Sequence, residues 1–198
     1  TATPDVPELV VVYSRLDDEK VQLYGRTASG ADVLLSTDEL GREPLPLEYL
    51  ATTHEVVYVA KTPGDLFMLK ALNVLTLSTR AILAEAAPSV YRPQISPDGG
   101  QVAYQFQDPI SGSDRWSTRI VSLRDGSEIG IIENSLSFSW SANSQSVAYM
   151  DYMRREGEQS RSIWVRNSNG ISREIRAPAE VEVLRVTWNG DRDELLVL

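Results

Sequence analysis

The sequence contains no cysteine and only one histidine, His54. Without cysteine the chain has no disulfide, no thiolate metal site and no cysteine nucleophile. A Ser-His-Asp triad would need His54 as its general base, and no Gly-x-Ser-x-Gly motif accompanies that residue. Because His54 directly precedes an apolar strand in a polar stretch, we interpret it as a turn residue and predict that the chain has no catalytic residues.

Long apolar runs and clustered positive charge are missing as well. The longest apolar stretches are of the type of residues 9–13, Leu-Val-Val-Val-Tyr. These are far shorter than the roughly 20 residues that span a bilayer, so we predict no membrane insertion. Acidic side chains outnumber basic ones by 28 to 19, which gives a formal net charge of −9. Because nucleic-acid affinity depends on clustered Lys and Arg, and the basic residues here are scattered, we predict no nucleic-acid partner.

One stretch, residues 189–194, carries alternating side chains with oxygen ligands, which suit calcium. It carries Arg192 in its middle and lacks a later bidentate acid, and a hairpin turn explains the same residues. The acidic run Asp17-Asp18-Glu19 is interpreted as a solvated loop. We therefore predict no metal site and no cofactor. A calcium-dependent enzyme or carbohydrate-binding protein is kept as an alternative function.

What the sequence does contain is a repeat of about 46 residues. Short apolar strands begin at Val11, Val56, Val102, Val147 and Leu195, which are 45, 46, 45 and 48 positions apart. The first four strands share a small or β-branched residue followed by tyrosine. Trp140 and Trp188 also recur 48 residues apart, which predicts that both pack between repeats. Such a period is the sequence signature of a repeat architecture.

Each period contains four strands. A polar cluster of Pro, Asp, Gly, Asn or Ser precedes the apolar strand, and two further β-rich segments follow it. Residues 75–87 have the alanine and leucine content of a helix, but in register residues 79–83 are the outer strand of the second repeat. Four strands in 40 to 50 residues is typical of a propeller blade, which buries its two apolar faces by stacking on neighbouring blades.

We therefore predict an all-β fold, a β-propeller of about four four-stranded blades, preceded by a linker at residues 1–7. The predicted repeats are residues 8–44, 45–88, 89–134 and 135–180, and residues 181–198 close the ring or start a further blade. If the ring does not close, it exposes a sheet face and an edge that must be covered. We favour a section of a larger propeller, or two chains that complete one ring, over an isolated closed ring of four blades. A second copy of the chain, or the missing blades of the same parent chain, is thus a predicted partner.

Residues 96–104, Ser-Pro-Asp-Gly-Gly-Gln-Val-Ala-Tyr, resemble the signature of the TolB-type, WD-repeat-like propellers, Trp-Ser-Pro-Asp-Gly-Lys-x-Ile-Ala-Phe. The fourth repeat matches in part, with Ser-Ala-Asn-Ser at residues 141–144. The first two repeats keep only the strand pattern.

This resemblance implies a non-catalytic protein-binding or scaffold module with a protein partner, located outside the cytoplasm (periplasmic, secreted or membrane-tethered). Related blades also form the gating domain of prolyl-oligopeptidase-like enzymes. The alternative is therefore a propeller section of a multidomain hydrolase or sensor whose active site lies outside this chain. A fold alone does not decide between these functions.

The longest connections are the predicted binding loops, because propellers bind through loops at the ring faces. Residues 108–115 and 152–161 occupy the same connection in adjacent repeats, so we expect them to lie side by side. Solvation of a long hairpin is the first interpretation of the arginines there, and contact with an acidic partner is the alternative. The candidate partner-binding residues are Asp108, Asp114, Arg115, Arg154, Arg155 and Arg161.

Overall fold

The computed structural model describes residues 9–17, 20–35, 42–83, 85–107, 116–155, 158–176, 185–189 and 194–197. Within these ranges the chain consists of antiparallel β-strands joined by turns, so the prediction of an all-β fold is confirmed. The predicted linker, residues 1–7, lies outside the described residues. The chain divides into two compact units, Thr1–Val90 and Tyr91–Leu198.

The described residues of the first unit form two antiparallel sheets. One sheet has the strand order β1 (Leu9–Asp17), β2 (Lys20–Thr27), β3 (Asp32–Leu34). The other has the order β4 (Arg42–Leu50), β5 (Glu55–Lys61), β6 (Phe67–Asn73), β7 (Thr79–Ala81). One apolar core joins the two sheets, and it contains Leu9, Leu23, Leu35, Val56, Tyr58, Ala60 and Leu72.

The outer edge of the second sheet contains part of the segment 75–87, whose alanine and leucine content is also typical of a helix. Residues 79–81 form β7, which pairs with β6 through Lys70 and Ala81, and Ala87 forms a further bridge to Phe67. Ile82 and Leu83 follow β7 and are buried. The prediction of a strand rather than a helix is therefore confirmed, because this segment gains its backbone partners from β6.

The second unit holds two four-stranded sheets and a two-stranded one among its described residues. The first contains β8 (Tyr91–Ile95), β9 (Gln101–Gln107), β10 (Trp116–Ser122) and β11 (Glu128–Ile132), in that spatial order. The second contains β12 (Ser135–Trp140), β13 (Ser146–Arg155), β14 (Glu158–Asn167) and β15 (Ser172–Ile175). The strands β16 (Val186–Asn189) and β17 (Glu194–Val197) pair with each other.

The turn between β8 and β9 is built by the Ser-Pro-Asp-Gly segment. The Ser96 hydroxyl donates a hydrogen bond of 2.6 Å to Asp98 Oδ1 and accepts one of 2.9 Å from the Gln101 amide. The Gly100 amide donates to the same carboxylate oxygen at 3.0 Å. Gly99 has a φ of +71°, a left-handed conformation that glycine adopts without steric cost. Where the chain reverses, side-chain oxygens therefore accept the hydrogen bonds of backbone amides.

The turn between β12 and β13 repeats this geometry with different residues. The Ser141 hydroxyl donates to Asn143 Oδ1 at 2.8 Å and accepts from the Ser146 amide at 2.9 Å. The Gln145 amide donates to Asn143 Oδ1 at 3.0 Å. Asn143 thus substitutes for aspartate, because one amide oxygen accepts the same two bonds that the carboxylate oxygen accepts in the preceding repeat.

Successive sheets of the second unit contact each other through apolar side chains and a few inter-sheet hydrogen bonds. The Trp140 indole is buried and its Nε1 donates to the carbonyl of Gln94 at 3.2 Å, which joins β12 to β8. The Trp188 backbone amide donates to the Ser139 hydroxyl at 3.1 Å, which joins β16 to β12. Both tryptophans pack against clusters that include residues of the neighbouring sheet. Their predicted role in packing between repeats is confirmed.

Candidate binding surface

The predicted partner-binding residues occupy two connections of the second unit. Asp108, Asp114 and Arg115 lie outside the described residues. The backbone of Arg154, Arg155 and Arg161 lies on the hairpin of β13 and β14, where Arg154 pairs with Gln159 and Arg155 with Glu158. Most of the stretch 152–161 is therefore a continuation of the two strands, and the proposed role of these side chains stays a prediction.

Both connections leave the same end of the two four-stranded sheets. β9 ends and β10 begins at the pair Gln107 and Trp116, and β8 begins beside them with Tyr91 opposite Gln105. The Gln105 side-chain amide donates a buried hydrogen bond of 2.8 Å to the carbonyl of Ser135, the first residue of β12. The starts of β8 and β12 are therefore adjacent at the end of the unit from which the predicted loops emerge.

Two adjoining cavities lie at this end, with volumes of about 440 and 320 Å³. They share Arg92 and Leu136 in their walls. We call this region the β8/β12 surface, and its residues are Tyr91, Arg92, Pro93, Gln94, Gln105, Trp116, Leu136, Ser137, Phe138 and Arg185.

An aromatic pair forms one wall of the β8/β12 surface. The rings of Tyr91 and Trp116 meet edge to face, with 4.8 Å between centroids and an angle of 86° between planes. Such pairs contribute about 0.5–1.5 kcal/mol beyond the area they bury. Tyr91 is nevertheless 50% exposed. The pair therefore leaves part of an aromatic face exposed, and the contact between the two rings restricts the rotamers of both side chains.

The backbone at the start of β8 is irregular where it positions Arg92. The register between β8 and β9 shifts between Tyr91 and Gln94, and Arg92 has a φ of +46°. A β-bulge re-aims the side chains beside it, and a non-glycine residue in the left-handed region costs about 1–3 kcal/mol. A second register shift, between Ser135 and Ser137, flanks Leu136. Both residues that the two cavities share are thus placed by bulges.

Charge at the β8/β12 surface is positive although the chain is acidic. Arg92 and Arg185 are exposed, and neither forms an ion pair within the described ranges. Among the described residues, no aspartate or glutamate lines either cavity. In a chain with a net charge of −9, these two arginines form a local patch of positive charge that has no carboxylate partner among the described residues.

Three further features concern the described part of the chain: metal ligands, membrane-spanning helices and the single histidine. No group of three or more His, Cys, Asp or Glu side chains there is placed to hold a metal ion. A helix long and apolar enough to cross a membrane is absent from the same residues. His54 ends the turn at residues 51–54, with a φ of +54°, and its Nδ1 lies 3.3 Å from the Tyr49 hydroxyl. These contacts fit its interpretation as a turn residue.

The β8/β12 surface corresponds to no sequence motif. The fold brings together Tyr91 and Arg92 of β8, Trp116 of β10 and Arg185, which directly precedes β16. One sequence signal for the site is Pro93, which removes a backbone donor inside a short strand and is typical of bulges and sheet edges.

No protein-family model matches the chain, and no curated protein sequence is similar to it. Among solved structures, TolB from Acinetobacter baumannii is 12% identical with a TM-score of 0.54, and the match covers 82% of this chain and 39% of that one. The β-propeller domain of the Trilobed protease from Pyrococcus furiosus is 9% identical with a TM-score of 0.64, over 96% of this chain and 62% of that one.

Pyrococcus horikoshii acylaminoacyl peptidase is 10% identical with a TM-score of 0.65, over 93% of this chain and 33% of that one. The chain therefore spans between about a third and two thirds of the length of these structures. At such identities the likeness shows the fold. The predicted β-propeller fold and its resemblance to TolB-like propellers are confirmed.

Proposed function

We propose that this propeller is a non-catalytic protein-binding module that takes an extended, acidic segment of a partner protein on the β8/β12 surface. The observation that carries the proposal is the pair of arginines, Arg92 and Arg185, which lack carboxylate partners among the described residues and line cavities beside the exposed Tyr91–Trp116 pair. Aromatic and arginine side chains are the residue types that dominate binding energy at protein interfaces.

Each part of the surface has its own role in this proposal. The planar guanidinium groups of Arg92 and Arg185 bind carboxylates of the partner. The Tyr91–Trp116 pair and Leu136 contact an apolar side chain between those carboxylates. Because the arginines are exposed, each ion pair contributes up to about 1 kcal/mol. The aromatic contact therefore supplies much of the affinity, and the arginines supply the preference for acidic sequences.

The predicted loop residues extend this surface in the proposal. Asp108, Asp114, Arg115, Arg154, Arg155 and Arg161 belong to the connections that leave the same end of the unit, and we assign them contacts at the rim of the partner. Changes of charge at a rim alter the association rate and its salt dependence more than the dissociation rate. An extracytoplasmic location belongs to the same proposal and is supported by the likeness to TolB.

A second candidate function is a propeller section of a longer peptidase or sensor. It is favoured by the likeness to the Trilobed protease propeller and to acylaminoacyl peptidase, of which the chain spans 62% and 33%. In that case the missing blades of the parent chain, or a second copy, complete the ring. A peptidase domain in the same reading frame supports this candidate, and a reading frame with no enzyme domain favours the first.

The binding proposal is tested by fluorescence anisotropy with a labelled peptide of alternating Glu and Leu residues and its Lys and Leu counterpart. The variant Arg92→Asn with Arg185→Gln removes both charges, and asparagine tolerates the positive φ at residue 92. We expect about a tenfold loss of affinity for the acidic peptide, which corresponds to 1.4 kcal/mol.

The matched control is Arg173→Gln, which removes an exposed arginine from β15 and is expected to leave the affinity unchanged. Equal binding of the acidic and basic peptides, or equal losses in the control and the double variant, would contradict the proposal.

A further inference from the structure

A separate cavity of the second unit lies where β11 of one sheet faces the end of β14 in the next. Its volume is about 240 Å³. The guanidinium of Arg166 forms part of its wall, and Arg166 Nη1 donates a hydrogen bond of 3.1 Å to the carbonyl of Ile131. This bond uses one of the five N–H donors of the guanidinium and fixes the group in the cleft.

The guanidinium of Arg166 lies close to two glycines, and one of them makes the room that it occupies. A Cβ atom at Gly130 would lie 2.7 Å from Arg166 Nη2, and one at Gly170 would lie 3.4 Å from the same nitrogen. Gly170 also has a φ of +80°, so its left-handed backbone alone accounts for a glycine there. Gly130 lies in β11 with no positive φ. The side chain that is absent at residue 130 therefore leaves space for the guanidinium.

Among the residues that the structure describes, no acidic side chain lines this cavity and none forms an ion pair with Arg166. Its remaining donors therefore have no carboxylate to bind. A guanidinium held in place by a backbone bond, with free N–H groups in a cavity, is a ready site for a planar oxyanion. In a chain with a net charge of −9, an acid-free cavity around an arginine is a local exception.

Neutral donors surround the guanidinium. Asn167 Oδ1 accepts hydrogen bonds from the backbone amides of Asn169 and Ile171 at 3.1 and 2.9 Å. The NH₂ group of Asn167 therefore has no partner among the described residues, and the Ser146 and Ser168 hydroxyls also line the cavity. The cavity is also lined by the apolar side chains of Trp140, Ile129 and Val147.

We propose that this cleft binds a small monocarboxylate with a short apolar body. The carboxylate pairs with Arg166 and the neighbouring neutral donors, and the apolar body contacts the Trp140 side of the cavity. One cation in the wall matches one negative charge. The volume is below the roughly 300–1,000 Å³ of pockets for drug-sized ligands, which restricts the ligand to a few carbon atoms. The site is independent of the β8/β12 surface.

The test is a titration of the ¹⁵N-labelled chain with butyrate, followed by NMR at the backbone amides of Gly130 and Gly170 and at Arg166 Nε–H. Butyramide, which has the same size without the charge, is the matched control compound, and inorganic phosphate is the second. We expect saturable shifts at these positions with butyrate, none with butyramide and at least about tenfold weaker binding of phosphate.

Variants separate binding from folding. Gly130→Ala keeps Arg166 but places a methyl group against its guanidinium, and we expect at least about tenfold weaker butyrate binding. Gly64→Ala is the control, because a Cβ there meets only Thr62 Oγ1 at 3.9 Å, and it is expected to bind like the unchanged chain. The proposal is overturned if butyrate gives no saturable shift, if butyramide or phosphate binds as well, or if Gly130→Ala leaves butyrate affinity unchanged.

Discussion

The Ser144 hydroxyl accepts a hydrogen bond of 2.9 Å from the backbone amide of Asp98. The two residues lie in equivalent turns of adjacent sheets, so this bond joins one repeat to the next. Ser144 has a φ of +60°, at a position where the preceding repeat has glycine at +71°. The inter-sheet bond explains why serine is tolerated there, because it offsets a left-handed backbone that costs a non-glycine residue about 1–2 kcal/mol.

Two substitutions at Ser144 separate the bond from the backbone strain. Ser144→Ala removes the bond and keeps the strain, and we expect it to lower the free energy of unfolding by about 1–2 kcal/mol. Ser144→Gly also removes the bond but relieves the strain, so it should lower this free energy by less. Urea unfolding of the two variants and the unchanged chain measures the difference. An alanine variant as stable as the glycine variant would show that the strain is not significant.

The equivalence of Asp98 and Asn143 predicts that Asp98→Asn is tolerated. Asn143 makes the same turn bonds with its amide oxygen, so the free energy of unfolding at neutral pH should change by less than about 0.5 kcal/mol. Asp98→Ala removes the acceptor for the Ser96 hydroxyl and the Gly100 amide and should lower it by about 1–2 kcal/mol. The measurement is again urea unfolding. Equal effects of the two substitutions would contradict the equivalence of Asp98 and Asn143.

Stability should fall in acid through Asp125 and Asp98. The Ser127 hydroxyl and then its amide lower the pKa of Asp125 to about 2. Burial raises the pKa of Asp98, but hydrogen bonds from Ser96, Gly100 and Ser144 outweigh it and the net pKa is lowered. A lowered folded-state pKa means that the unfolded chain binds protons first as the pH falls. The stabilisation is therefore complete above the unfolded pKa of about 3.9 and is lost as the pH falls toward 2.

The check on this acid effect is the melting temperature between pH 5 and pH 2, about the range in which aspartate titrates. The double variant Asp98→Asn with Asp125→Asn should show a shallower fall than the unchanged chain. A fall of the same steepness in both would assign the acid sensitivity to other carboxylates.

The sequence predicts the repeat, the strand order within it and the turns, because these depend on local residue types. The spacing of Val56, Val102 and Val147 locates β5, β9 and β13, and the Ser-Pro-Asp-Gly segment specifies its own hydrogen bonds. The β8/β12 surface depends instead on bulges and on contacts between residues of different strands. Trp116 and Arg185 are about 70 residues apart, and no local pattern links residues so distant.

The aromatic wall of the β8/β12 surface predicts a further effect on binding. Trp116→Ala removes the edge-to-face partner of Tyr91 and the apolar face beside Arg92, and we expect it to weaken binding of the Glu and Leu peptide about tenfold or more. Trp116→Phe keeps an aromatic ring and should retain most of the affinity. Fluorescence anisotropy measures both. Equal affinities of the alanine variant and the unchanged chain would remove the aromatic pair from the proposed interface.

The most direct test of the proposed function is to map where an acidic peptide binds. The ¹⁵N-labelled chain is titrated with the Glu and Leu peptide, and shifts are followed at the backbone amides of Arg92, Leu136 and Arg185 and at the Trp116 indole. The proposal predicts that the largest saturable shifts occur at these positions and weaken with added salt, since exposed charges are screened. Largest shifts on β3 or β15, or no saturable shift at the β8/β12 surface, would contradict it.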